Sequence, residues 1–141
     1  MSIPLWTLLG FAVWTVLIVF CSIGVYRWGL ILTGRANLSQ WRADEAQGSS
    51  WYQRSMRAHM NAVENLPVYA AIVLVLFATK TASPAIDVLA ILVLVGRVCQ
   101  TLVHIVLEQT NAVVAIRFAL YLAQAGCMLA IAVIAAIAVS G

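Results

Sequence analysis

Three long, mostly apolar runs decide what this chain can fold into: Ile3 to Leu32, Pro84 to Leu107, and Ala112 to Val139, the last broken only by Arg117 and Gln124. An α-helix rises about 1.5 Å per residue, so about 20 residues cross the hydrocarbon of a bilayer, and each run exceeds that length. Of the 141 residues, 64% are hydrophobic and 9% charged, where a soluble domain carries about 45–50% and about 25%. A fourth span is less obvious, because Pro67 to Thr79 alone would cover only about 20 Å. Extended back to Ser50 it reaches across, but it then takes a polar stripe into the membrane. The chain therefore reads as an all-α membrane protein, a single domain over 1–141, with a four-transmembrane-helix up-and-down bundle at about 3–32, 50–79, 84–107 and 111–139.

Charge sets the expected orientation. The first loop and its helix ends carry Arg27, Arg35, Arg42, Arg54 and Arg57, whereas the opposite turn, Lys80 to Asp87, carries a single lysine. Basic residues concentrate on the cytoplasmic side, which places that loop in the cytoplasm and both termini across the membrane. The net charge of +3 is this asymmetry and implies no nucleic-acid partner. No basic residue precedes the first apolar run, so that run is expected to be a retained span rather than a cleaved signal. Gly34, Asn37, Asp44 and Gly48 mark the loop as turn-rich. Ser49 or Ser50 can cap the second helix, Ser83 followed by Pro84 can cap the third, and Glu108 to Asn111 makes a tight turn. Trp6, Trp41 and Trp51 read as interface anchors. Cys21, Cys99 and Cys127 stand singly, without the spacing of a metal or disulfide site, and read as buried small hydrophobes.

Polar residues in these helices are the functional signal. On the second helix Arg54, Arg57, Asn61 and Glu64 recur at helical spacing, on the third Arg97, Gln100, His104 and Glu108, and on the fourth Arg117, Tyr121 and Gln124. A charge at membrane depth costs at least about 2.5–3.5 kcal/mol, so such seams face a cavity, a partner helix or a neighbouring subunit. Glu64 and Arg97 each lie about 20 Å along oppositely running helices and are expected to pair. Arg57, His104 and Arg117 then line a cationic pocket nearer the cytoplasmic edge. Simpler readings stand beside these: the Glu64–Arg97 pair as helix-to-helix adhesive, His104 as a hydrogen-bonded contact, and Arg54 reaching for headgroups. Arg117 lies about two turns inside an apolar helix, too deep to snorkel, which favours a functional role.

The string RAHMNAVENLPVY, Arg57 to Tyr69, resembles the signature of the MAPEG family, membrane-associated proteins in eicosanoid and glutathione metabolism. GRVCQTLVHI from Gly96 and IRFALY from Ile116 extend the resemblance over most of the chain. It implies a homotrimer of four-helix subunits with glutathione held between neighbours near the cytoplasmic face. By position it implies binding roles for Arg57, Asn61, Glu64, Arg97, Arg117 and Tyr121, and Gln100 and His104 of the third-helix seam join the expected binding set. There are departures. Met60, Gln100 and His104 stand where the prostaglandin synthase branch has arginine, histidine and tyrosine, and Phe118 stands where it has a hydroxyl. A microsomal glutathione transferase-like member is the better match.

Glutathione carries two carboxylates, an amine and a thiol. Guanidinium groups bind carboxylates bidentately, which suits Arg57 with Arg35 or Arg54, while Glu64 and Asn61 suit the amine. A thiol of pKa near about 8.5 is mostly protonated at neutral pH. Arg117 is the expected thiolate stabiliser, and Tyr121, one turn further on, a second donor to the sulfur; these are the expected catalytic residues. The second substrate would be a lipophilic electrophile or lipid hydroperoxide arriving from the bilayer. A non-catalytic binding protein on the same scaffold is the alternative. A small multidrug exporter is disfavoured because Ile3 to Leu32 contains no acid.

Overall fold

A computed structural model describes residues 1–41 and 47–140; Arg42 and Asp44, used above for loop charge and turn formation, lie outside them. Among the described residues four helices are long and apolar enough to cross a membrane: α1 (Ile3–Leu32), α2 (Ser50–Thr79), α3 (Pro84–Val106) and α4 (Asn111–Ser140). The short links between α2, α3 and α4 force successive helices to run antiparallel. A short 3-10 turn, Leu38–Gln40, lies in the first loop. The protein is an integral multi-pass membrane protein, and its outward faces agree: Phe20, Leu74, Phe77, Leu129 and Ile137 are exposed large hydrophobics, as expected of side chains that meet lipid rather than water.

Local chemistry fixes the helix ends. Ser49 caps α2, its side chain accepting from the Tyr52 amide at 3.3 Å. Ser83 caps α3 in the same way, accepting from the Ile86 amide at 3.3 Å with Pro84 in the first turn. Thr110 precedes α4 and accepts from the Val113 amide at 3.3 Å. The end of α2 closes through paired bonds, Thr81 N–H to Leu76 O at 3.1 Å and Lys80 N–H to Phe77 O at 3.3 Å, with Lys80 left-handed at φ 54°. That closure ordinarily takes glycine, and a side chain there costs about 1 kcal/mol.

The core joins all four helices through Phe11 on α1, Ala62, Tyr69 and Val73 on α2, Ile86, Ala90 and Val93 on α3, and Met128 and Ile131 on α4. Thr7 and Tyr69 share a hydrogen bond of 2.7 Å toward one end. At the other, Ile23, Tyr52 and Met56 form a second cluster. There Tyr26 stacks on Tyr52 at 4.4 Å, Arg27 Nε donates to the Tyr52 hydroxyl at 3.0 Å, and the Arg27 guanidinium sits 5.0 Å from the Trp41 ring. The start of the first loop is thereby tied to the bundle.

Several expectations change. α1 is not one regular helix, since Val19–Gly24 is π-helical. A Cβ at Gly24 would lie 2.9 Å from the Val19 carbonyl, so the widened turn requires glycine, and the Ser22 hydroxyl donates to Ile18 O beside it. α3 stops at Val106, one residue short of its expected end, because Leu107 is extended, and α4 runs to Ser140. Cys21 and Cys99 are exposed rather than buried as expected, whereas Cys127 is half-buried and packs against the core. Trp6 is exposed as an anchor would be, but Trp41 stacks on Arg27 and Trp51 packs against the second cluster.

The α3 cap gives a direct check. Ser83→Ala should lower stability by about 1 kcal/mol in detergent-based thermal unfolding, while Ser83→Asp, which keeps an accepting oxygen, should stay close to wild type.

Candidate functional site

Arg97 is the organising residue: it projects from the middle of α3 and is only 1% exposed. Its Nη1 donates to Asn61 Oδ1 at 2.5 Å and to Gln100 Oε1 at 3.0 Å, and its guanidinium lies 5.1 Å from the Phe11 ring of α1. Gln100 Oε1 also accepts from Gln124 Nε2 at 3.1 Å, and Gln100 Nε2 donates to the Arg117 carbonyl at 3.2 Å. Spacing explains why these side chains meet. Arg97 and Gln100 are one turn apart on α3, and Gln124 reaches them because Gly96 leaves room: a Cβ there would lie 2.8 Å from Gln124 Cγ.

Toward the first-loop end, a cavity of about 270 Å³ opens beside this network, lined by Asn61, Gln100, His104, Val114, Arg117, Phe118 and Tyr121. Arg117 and Tyr121 are half-buried and one turn apart, so both present polar ends to it. His104 is buried on the opposite wall. Arg97 Nε and Nη2, His104 Nε2 and Gln124 Oε1 are buried without a hydrogen-bond partner among the described residues. Of these residues His104 stands in the cavity wall, and an unpartnered buried nitrogen there is a binding signal, because burying a polar group without a partner costs about 1–3 kcal/mol.

The remaining expected residues divide. Asn61, Gln100, His104, Arg117 and Tyr121 come together as the cavity wall, with Arg97 directly behind. Arg57 is exposed at the rim, where its Nη1 donates to Gln109 Oε1 at 2.9 Å. Arg54 is engaged elsewhere: Nε donates to the Ile105 carbonyl at 3.1 Å and Nη1 to Ser50 Oγ at 3.3 Å, so it caps the end of α3. Arg35 is an exposed loop residue and is not part of the cavity wall within one subunit. The expected Glu64–Arg97 pair does not form. Arg97 takes amide oxygens instead, and Glu64 is exposed on the outer flank of α2. Asn61 lies on the seam between the buried face of Ala58, Ala62 and Tyr69 and that outer flank, so it reaches Arg97 where Glu64 does not. Gln124 belongs to the fourth-helix seam by spacing, but the role of Gly96 in admitting it depends on the approach of α4 to α3, which spacing along one helix does not encode.

In charge terms the site is cationic. Arg117 lines it, Arg97 stands behind it through Asn61 and Gln100, and among the described residues no carboxylate lines the cavity. Such a pocket suits an anionic, hydrogen-bond-accepting ligand with an apolar neighbour, for Val114 and Phe118 supply an apolar edge.

A family model described as the MAPEG family matches residues 4–137, nearly the whole chain. No curated protein and no solved structure matches.

The Gly96–Gln124 approach can be tested by a mutant cycle. Gly96→Val should displace Gln124 and destabilise the bundle by about 1–3 kcal/mol. In the Gln124→Ala background the same change should cost clearly less, measured by unfolding in detergent; strict additivity would mean that the two residues do not touch.

Proposed function

The chain belongs to the MAPEG family, and from that premise we propose that it is a glutathione-dependent transferase or peroxidase acting on lipophilic electrophiles or lipid hydroperoxides inside the membrane. The observation that carries this reading is the cavity into which Arg117 and Tyr121 face, with His104 Nε2 buried and unpartnered in its wall and Val114 and Phe118 as its apolar edge. Glutathione offers what these groups lack: carboxylates, carbonyl oxygens and a thiol that can ionise.

The residues fall into roles. Arg57, free at the rim apart from Gln109, binds a carboxylate; Arg54, already bonded to Ile105, is the weaker choice. Asn61, fixed by Arg97, is positioned to accept from an amine or donate to a carbonyl. Arg117 holds the thiol as thiolate, because a guanidinium beside the sulfur favours the charged form. Tyr121 donates a second hydrogen bond to the same atom. Val114 and Phe118 face the lipophilic substrate and keep water from the sulfur. Arg97 anchors the wall rather than touching the reacting atoms.

A single subunit leaves this site incomplete. Glu64 is exposed in the middle of a membrane-spanning helix, where lipid cannot solvate a carboxylate. A homotrimer would place it against a neighbour's α-helices, in reach of the glutathione amine or of a partner cation, and would put the site between subunits. The basic first loop assigns that end to the cytoplasm. The second reading is a membrane binding protein without chemistry. It is favoured by Gln100, which lines the cavity but is a carboxamide held by Arg97, Gln124 and the Arg117 backbone and supplies no acid or base to it.

Native mass measurement in mild detergent should report three chains, and Glu64→Gln should weaken that assembly; a stable monomer would remove the intersubunit site. Arg117→Ala should lower thiolate absorbance and conjugation of an apolar electrophile at neutral pH by up to about thirtyfold, the ionised fraction left to a thiol of pKa near about 8.5. The sign follows from the charge: losing the cation raises the thiol pKa, so raising the pH should restore rate. Arg57→Ala should instead weaken glutathione binding with the same thiolate fraction once saturated. Wild-type protein that binds glutathione without forming thiolate would favour the binding-protein reading.

A further inference from the structure

At the end of the bundle opposite the first loop, a second cavity of about 420 Å³ opens where α1 begins, α2 ends and α3 begins. It is separate from the Arg117 cavity, with which it shares no lining residue. Pro4, Val73, Leu76, Phe77 and Ile86 make its walls mostly apolar, and two opposite charges, Lys80 and Asp87, belong to its lining. Its size lies within the range of about 300–1,000 Å³ typical of small-molecule sites.

We propose that this cavity is a binding site for one phospholipid with a primary-amine headgroup, of the phosphatidylethanolamine class, from the leaflet that meets the α2–α3 turn. Position gives the first reason. The turn joins two membrane-spanning helices, so the cavity lies at the level where headgroup and acyl chain meet. Charge gives the second. Among the described residues no ion pair is formed between Lys80 and Asp87, so the cation is free for a phosphate and the carboxylate for an ammonium. A primary ammonium donates charge-assisted hydrogen bonds to a carboxylate; a quaternary one cannot. An anionic headgroup without an amine would meet Lys80 but be repelled by Asp87.

The simpler account is that each charge complements a helix terminus, Lys80 at the end of α2 and Asp87 in the first turn of α3. That account covers Asp87. It does not explain a long cationic side chain in the left-handed position that closes α2, where glycine or asparagine closes the helix at lower cost. Lys80 trades local backbone comfort for a cation at the cavity edge.

The test uses the full chain in mild detergent, stripped of lipid and titrated with phosphatidylethanolamine, phosphatidylcholine and phosphatidylglycerol of identical acyl chains, with retention read by native mass spectrometry. Phosphatidylethanolamine should be retained about tenfold better than phosphatidylcholine, the worth of a charged hydrogen bond at a partly exposed site. Asp87→Asn should bring it down to the phosphatidylcholine level, and Asp87→Glu should keep the preference. Lys80→Gln should weaken both zwitterionic lipids alike, and Ala82→Trp, which fills the cavity, should remove retention. Glycerophosphoethanolamine, which has the headgroup without chains, should compete poorly. Equal retention of the three lipids, tighter binding of phosphatidylglycerol, or a preference that survives Asp87→Asn would each overturn the proposal. Circular dichroism confirms that each variant remains helical, and since none of these residues borders the Arg117 cavity, glutathione binding by the variants should match wild type.

Discussion

The rest of the structure is arranged around one cation buried in hydrocarbon. Arg97 sits on α3 with almost no exposure and no carboxylate, satisfied in part by two amide oxygens and an aromatic face. Placing an arginine at the middle of a membrane helix costs about 2.5–3.5 kcal/mol, and a hydrogen bond to a charged group returns about 1.5–3 kcal/mol. The two bonds at Nη1 return about 3–6 kcal/mol, which meets the insertion cost and offsets part of what the unpartnered Nε and Nη2 cost. Each bond ties Arg97 to something else: Asn61 draws in α2, and Gln100 draws in α4 through Gln124 and the Arg117 backbone. The same residue thus holds three helices in register and sets the wall of the cavity. Amide partners also leave the net positive charge uncancelled, which a salt bridge would not.

How much of this was legible in the sequence depends on what each signal encodes. Helix ends were legible, because Ser49, Ser83 and Pro84 act on their own local backbone. Helix length and membrane character were legible from hydropathy alone. The π-helical Val19–Gly24 was not, since in a continuously apolar run only Gly24 and Ser22 mark it, and neither residue is specific to that geometry. Facing was only partly legible. α1 and α4 are apolar nearly all round, so the position of Cys21 or Cys127 carries no signal about which side meets the core. On α2 Asn61 and Glu64 are one turn apart in the same polar stripe, and depth along the helix could not choose between them as the partner of Arg97. Coulomb attraction suggested the acid; the rotation of α2 that buries Ala58, Ala62 and Tyr69 chose the amide.

That rotation has a consequence for assembly. It turns Arg57 and Glu64 outward together, a cation and an anion about two turns apart on the face of α2 that the bundle leaves open. Pro67 lies three residues beyond Glu64, and its missing amide withdraws the usual donor from the Val63 carbonyl on the same exposed side. An acid, a base and a weakened backbone acceptor at membrane depth form a surface that lipid solvates poorly.

A soluble enzyme could leave such groups to water; a membrane protein has to find them partners. The inner network of Arg97, Asn61, Gln100 and Gln124 meets much of that demand within the chain, leaving Arg97 Nε and Nη2 and Gln124 Oε1 without a partner among the described residues. The outer face of α2 has no equivalent within one subunit. The same physical rule therefore separates the two sets of polar residues that the sequence presented as one stripe: the inward set builds the wall of a site, and the outward set calls for a second copy or a ligand to complete it. Asn61, on the seam between them, is the residue through which a contact made outside the subunit would be felt at Arg97.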